Sequence, residues 1–102
     1  YSSIIGGIAN SIGDTVFAST IIGGEFSVIE DSVYESFIIG GASSTIQDSS
    51  QYSSVFGGVG GIIGPYSYAS SILGGINNNA GASAHTSSII GGFENLVSSF
   101  VS

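Results

Sequence analysis

Adjacent pairs of apolar side chains followed by two glycines recur along this chain. The pairs are Ile4-Ile5, Ile21-Ile22, Ile38-Ile39, Val55-Phe56, Ile72-Leu73 and Ile89-Ile90, each 17 residues after the last. A serine stands two residues before each pair, at Ser2, Ser19, Ser36, Ser53, Ser70 and Ser87. Six such units, 1-17, 18-34, 35-51, 52-68, 69-85 and 86-102, account for all 102 residues. A fixed period in this range marks a repeat architecture in which each unit stacks on the next. Aligned on the period, Ile12, Ile29, Ile46, Ile63, Ala80 and Val97 form a second apolar column. A weaker one holds Val16, Val33, Ser50, Ser67, Ala84 and Val101.

Short β-branched runs broken by glycine pairs favour strands. A helix would lose roughly 1 kcal/mol for every interior Gly relative to Ala. At ~3.3 Å per residue, one unit is long enough for a coil of two short strands and two turns. The twin glycines permit positive φ or close backbone approach at one turn. Asn10, Asn78 and Asn95, with Gly61 in the same column, suit left-handed or turn conformations. The second turn carries "GDT", "EDS", "QDS" and "GPY", and Pro65 falls there, where a missing ladder N–H does least harm. The pattern predicts an all-β chain, a parallel β-solenoid (β-roll) with one coil per repeat. Six coils at ~4.8 Å each give roughly 29 Å.

Neighbouring side chains on a strand point to opposite faces. Ser2 and Ile4 therefore share a face, as do their counterparts, and the six serines should stack in the interior. Ile5, Ile22, Ile39, Phe56, Leu73 and Ile90 then either form an apolar stripe outside the coil or tuck inward where the strand bends into the Gly-Gly corner. A stripe of that size marks an interface.

Charge narrows the partners. Seven acids and no Lys or Arg give a net charge of −7. Such a surface repels phosphate backbones and anionic membranes, so no nucleic acid and no membrane insertion are expected. No apolar run approaches the ~20 residues of a membrane span, and no basic segment precedes an apolar one as in a signal peptide. Cysteine is absent, so no disulfide staples the coils. The repeats begin and end without a polar cap, which suggests a segment of a longer fibre or a subunit stacked on others.

The motif SSIIGG-x-x-N-x-I, seen as "SSIIGGIANSI" and "SSIIGGFENLV", is similar to the β-roll head repeats of trimeric autotransporter adhesins (YadA-like). It more closely resembles Ser/Gly/Ile/Asn-rich repeats in tail and neck fibres of bacteriophages and other large viruses. The resemblance covers the whole chain. It implies a left-handed coil, three chains about a threefold axis, and a rigid, protease-resistant rod or head. The adhesin repeat commonly has a shorter period, and the second and fourth repeats ("GGEFSVIEDS", "GGVGGIIGPY") lack the Asn.

Candidate chemistry is sparse. His85, the single His, shares a column with Phe17, Tyr34, Gln51, Tyr68 and Ser102, which reads as an exposed edge. The serines have no paired base, and "GGVGG" is followed by no Lys that would make a phosphate loop. The residues point away from an enzyme, and no cofactor or metal ligand set is expected. Asp14, Asp31 and Asp48 share a column, with Glu30 beside Asp31. They read as a solvated turn or, alternatively, a weak Ca²⁺ site. Phe17, Tyr34, Tyr52, Tyr66 and Tyr68 gather near the second turn, as a glycan-facing edge or a chain–chain seam.

The expected role is a structural module, the shaft or head of a trimeric extracellular, cell-surface or virion fibre. It would space or display an adhesive element toward a host surface or glycan receptor. The alternative is a self-assembling filament subunit that stacks end to end through open strand edges. Ice binding fits less well, because Thr15, Thr20, Thr45 and Thr86 fall in four different columns.

Overall fold

The computed structural model describes residues 2–83 and 85–97. Ala84 and Val101 of the weaker apolar column and Ser102 of the His85 column lie outside the described residues. Among the described residues the regular elements are strands, numbered here in chain order. The first arm of each coil supplies β1 (Ser3–Ile5), β3 (Thr20–Ile22), β5 (Phe37–Ile39), β7 (Ser54–Phe56), β9 (Ser71–Leu73) and β11 (Ser88–Ile89). The second arm supplies β2 (Ser11–Ile12), β4 (Val28–Ile29), β6 (Thr45–Ile46), β8 (Ile62–Ile63), β10 (Asn79–Ala80) and β12 (Leu96–Val97). Odd strands form one six-stranded sheet and even strands another. All pairs are parallel and offset by one repeat, Ile4 opposite Ile21 and Ile12 opposite Ile29. The chain is therefore a parallel β-solenoid of about six coils.

The two sheets enclose a core one side chain deep on each side. Ile21, Ile38, Val55 and Ile72 point inward from the odd sheet, and Ile29, Ile46, Ile63 and Ala80 from the even one. Val33 joins them from the weaker column, where Ser50 and Ser67 are also buried. The result is a slab of 31 × 25 × 13 Å. Its thin dimension leaves room for only two facing layers, since stacked sheets lie ~10 Å apart.

The corners are more numerous than the two turns expected from sequence. Besides the two arms, each coil carries single-residue bridges, as at Ile8–Glu25 and Phe17–Tyr34. Left-handed residues separate these pieces: Glu35 (φ 49°), Tyr52 (φ 54°), Phe26 (φ 51°) and Tyr66 (φ 59°) among them. Such a conformation costs roughly 1–2 kcal/mol for an L-residue. Each nonetheless makes a backbone hydrogen bond in the opposite sense from its extended neighbours. Extended residues donate forward, as Tyr34 N–H does to Ser50 O at 3.1 Å, whereas Tyr52 N–H donates back to Tyr34 O at 3.0 Å. The same reversal occurs at Phe26 to Ile8 O (2.9 Å) and Tyr66 to Asp48 O (2.9 Å). Positive φ turns the N–H toward the preceding coil.

Asn10, Asn78, Asn95 and Gly61 differ from expectation. The left-handed residue is the one before each: Ala9, Asn77, Glu94 and Gly60. The Asn side chains reach instead into the Gly-Gly corner. Asn10 Nδ2 donates to Gly23 O at 3.0 Å, Asn78 Nδ2 to Gly74 O at 3.1 Å and Asn95 Nδ2 to Gly91 O at 3.1 Å. The second glycine of each pair is required sterically. A Cβ on Gly41 would lie 2.6 Å from Gly58 O, and one on Gly58 2.5 Å from Gly75 O.

The serine stack takes the predicted place. Ser19, Ser36, Ser53, Ser70 and Ser87 are buried, and Ser2 leads the same column. Ser36 N–H donates to Ser19 Oγ at 3.1 Å, Ser53 N–H to Ser36 Oγ at 3.0 Å and Ser70 N–H to Ser53 Oγ at 3.3 Å. The hydroxyls of Ser19, Ser36, Ser53 and Ser87 donate two residues back, as Ser36 Oγ does to Tyr34 O at 2.9 Å, whereas Ser2 Oγ donates to Val16 O.

Candidate functional site

Strand pleating sends the second residue of each apolar pair outward. Ile5 is 57% exposed, Ile22 40%, Ile39 37%, Phe56 40%, Leu73 43% and Ile90 81%. Their partners Ile21, Ile38, Val55 and Ile72 are at 0–1%. The inward-tucked arrangement is therefore excluded, and the six residues line the outer face of the odd sheet. From Ile5 to Leu73 they sit directly opposite one another across successive strands. Ile90 lies just past β11.

The column next to them completes the face. Ser3, Thr20, Phe37, Ser54, Ser71 and Ser88 point the same way, and Phe37 is 41% exposed. None of the seven acids lies on the five-residue arm from Ser3 to Gly7 or on its five repeats. Beyond the Gly-Gly corner, Ile8, Val59, Ile76 and Phe93 are exposed as well. Sequence reasoning missed this second apolar column, although an apolar residue directly after the glycine pair in five of six repeats was the available signal. The odd-sheet face itself carries no charge on any coil, with the Ile5 column as its apolar stripe, and Glu25 is the one acid in the adjoining Ile8 column. The chemistry of the face suits packing against another apolar surface of the same repeat.

The acidic column is built into the backbone ladder. Asp31 Oδ1 accepts the Asp14 N–H at 2.7 Å, and Asp48 Oδ1 accepts the Asp31 N–H at 3.0 Å. Each carboxylate thus caps an N–H one coil below, and the series stops at Pro65, which brings no carboxylate. Glu30, Asp31 and Asp48 border an open groove of about 300 Å³ with Ser11, Gly13 and Val28. Partial burial raises the Glu30 carboxyl above its ordinary value of 4.5, and the neighbouring Asp48 and Asp31 charges add to the effect. Among the described residues no group of three or more His, Cys, Asp or Glu is arranged to hold a metal ion.

Aromatic residues occupy the edge beside the second turn. Phe17 and Tyr34 lie 6.3 Å apart between ring centres, Tyr52 meets Tyr68 edge-on at 5.3 Å, and Tyr68 stacks on His85 at 6.4 Å. A shallow groove of about 300 Å³ runs between Tyr66 and Tyr68, flanked by Ser49, Gln51, Ser83 and His85. His85 is exposed on this edge and pairs with a ring. Comparison with protein-family models, curated proteins and solved structures gives no match to this chain.

Proposed function

We propose that the chain is a structural module of a fibre, associating side by side with copies of itself through the Ile5 column. The observation that carries this reading is the exposed, uncharged apolar face repeated on every coil. Fully burying an Ile or Leu side chain gains roughly 1.5–3 kcal/mol, and with 37–81% of each residue exposed a corresponding share of that is still to be gained. With seven acids and no cation, two copies repel one another on every charged face. The odd-sheet face is where they can meet without that cost. The other copy also presents the same coil spacing, so contacts made on one coil recur on the next.

The finer reading follows the adhesin-like and phage-fibre-like resemblance: a left-handed coil, three chains about one axis, and a location on a virion or cell surface. In this role the module has no catalytic task. It spaces or displays an adhesive element, and a host surface or glycan is the partner of the assembly. Analytical ultracentrifugation combined with cryo-EM of the assembly tests this. A trimer with the Ile5 columns at its axis is the expected result. A folded monomer at micromolar concentration overturns lateral association, and end-to-end filaments of single-width rods replace it with axial stacking.

A further inference from the structure

The column Asn10, Ser27, Ser44, Gly61, Asn78 and Asn95 changes character along the slab. At Asn10 and Asn78 one side chain does two jobs. Its Nδ2 donates to a glycine carbonyl, and its Oδ1 accepts the N–H of the next residue in the column. Ser27 N–H donates to Asn10 Oδ1 at 3.0 Å, and Asn95 N–H to Asn78 Oδ1 at 2.9 Å. The amide fills the space beside the second glycine, where a Cβ on Gly7, Gly75 or Gly92 would overlap its Nδ2. In the two coils that carry serine, the hydroxyls of Ser27 and Ser44 are fully buried and have no hydrogen-bond partner.

We infer that Ser27 and Ser44 each anchor an internal water that occupies the position of the Asn amide. The backbone of the two serine coils matches that of the Asn10 coil: φ is 70° at Gly6, 67° at Gly23 and 68° at Gly40, and 85°, 82° and 81° at the glycines that follow. The corner therefore keeps its shape when Asn becomes Ser, and the lost carboxamide leaves room comparable to a water's ~30 Å³. Buried waters take about three hydrogen bonds. By equivalence with Asn10, the first water donates to Gly40 O, accepts the Ser44 N–H and bonds Ser27 Oγ. The second does the same with Gly57 O, the Gly61 N–H and Ser44 Oγ. A buried hydroxyl without a partner is rare in folded proteins, and water is the ligand small and polar enough for this site. Neither water belongs to the association face, so the inference stands apart from the oligomer reading.

A high-resolution crystal structure of the unmodified chain is the primary test, with water–amide NOEs in solution as the second measurement. The expected result is an ordered water within ~2.7–3.2 Å of Ser27 Oγ and Ser44 N, and another at Ser44 Oγ and Gly61 N. In Ser27→Asn/Ser44→Asn the amides displace both waters, and the melting temperature rises by on the order of 5 °C. Hydroxyls bonded directly to protein carbonyls, or amides of Ser44 and Gly61 without a water NOE, overturn the inference whether or not the variant folds.

Discussion

Ser36 Oγ lies between two coils, accepting the N–H of Ser53 at 3.0 Å and donating to the carbonyl of Tyr34 at 2.9 Å. The Ser53 N–H has no backbone acceptor at this corner, whereas the Tyr34 carbonyl also accepts the Tyr52 N–H at 3.0 Å. Ser36→Ala leaves the Ser53 N–H buried without an acceptor, a loss of about 1–3 kcal/mol. Chemical denaturation of the variant should show a lower midpoint with an unchanged slope.

The proposed association and the stability of the coil should separate by mutation. Ile22→Asp and Ile39→Asp place charges on the face that carries none, so sedimentation should show dissociation and denaturation a weaker coil. Asp14→Ser should do neither, because Asp14 donates its backbone N–H to Asp31 Oδ1 and accepts the Ser32 N–H at its backbone carbonyl, and serine keeps both. Sedimentation of the three variants side by side checks the contrast.

Asp31 behaves differently from Asp14. Its carboxylate caps the Asp14 N–H, as an N-cap aspartate does for a helix, and Asp31→Ala should cost about 0.5–2 kcal/mol. A denaturation midpoint equal to wild type would count against the carboxylate ladder as a stabilising feature.

Glu30 gives a pH signature. Its carboxyl is raised in the folded chain, so the folded state binds a proton more readily than the unfolded one. Stability from this group is therefore greatest at low pH and declines as pH rises from about the ordinary value of 4.5 through the raised value. Glu30→Gln should melt higher than wild type at neutral pH, and the difference should shrink as pH falls toward 4.5. Parallel thermal melts across that range measure it. A constant difference would show that the charge is not the cause.

The two glycines of a pair should respond unequally. At Gly40 (φ 68°) an added Cβ meets open space, whereas at Gly41 it would lie 2.6 Å from Gly58 O. Gly40→Ala then costs roughly the 1–2 kcal/mol of a left-handed L-residue. Gly41→Ala must also push two coils apart, and it should lower the denaturation midpoint further.

The parallel coil, its register and the inward serines were legible because the period fixes which residues stack and the pleat fixes which face they share. Ile4 and Ile5 could be assigned to opposite faces from that alternation alone. The corners were less legible. Phe26, Glu35 and Tyr52 are not turn residues by type, yet the structure places them at positive φ. What selects that conformation is the backbone bond each makes to the preceding coil, and no single repeat contains it. Asn10 was misplaced for the same reason, since its amide acts on carbonyls of its own and the next coil. On the candidate site, Ile5 was readable, whereas the exposed Ile8 column was hidden behind a glycine pair taken simply as a turn.

The register Ile4–Ile21–Ile38–Val55–Ile72 repeats without drift, so every coil offers its neighbour the same ladder it receives. Duplicating one 17-residue unit would insert a slice between two existing ones without asking either to change its contacts. Length is thereby uncoupled from packing. A solenoid of this design is a ruler graduated in steps of ~4.8 Å, one for each repeat written into the chain.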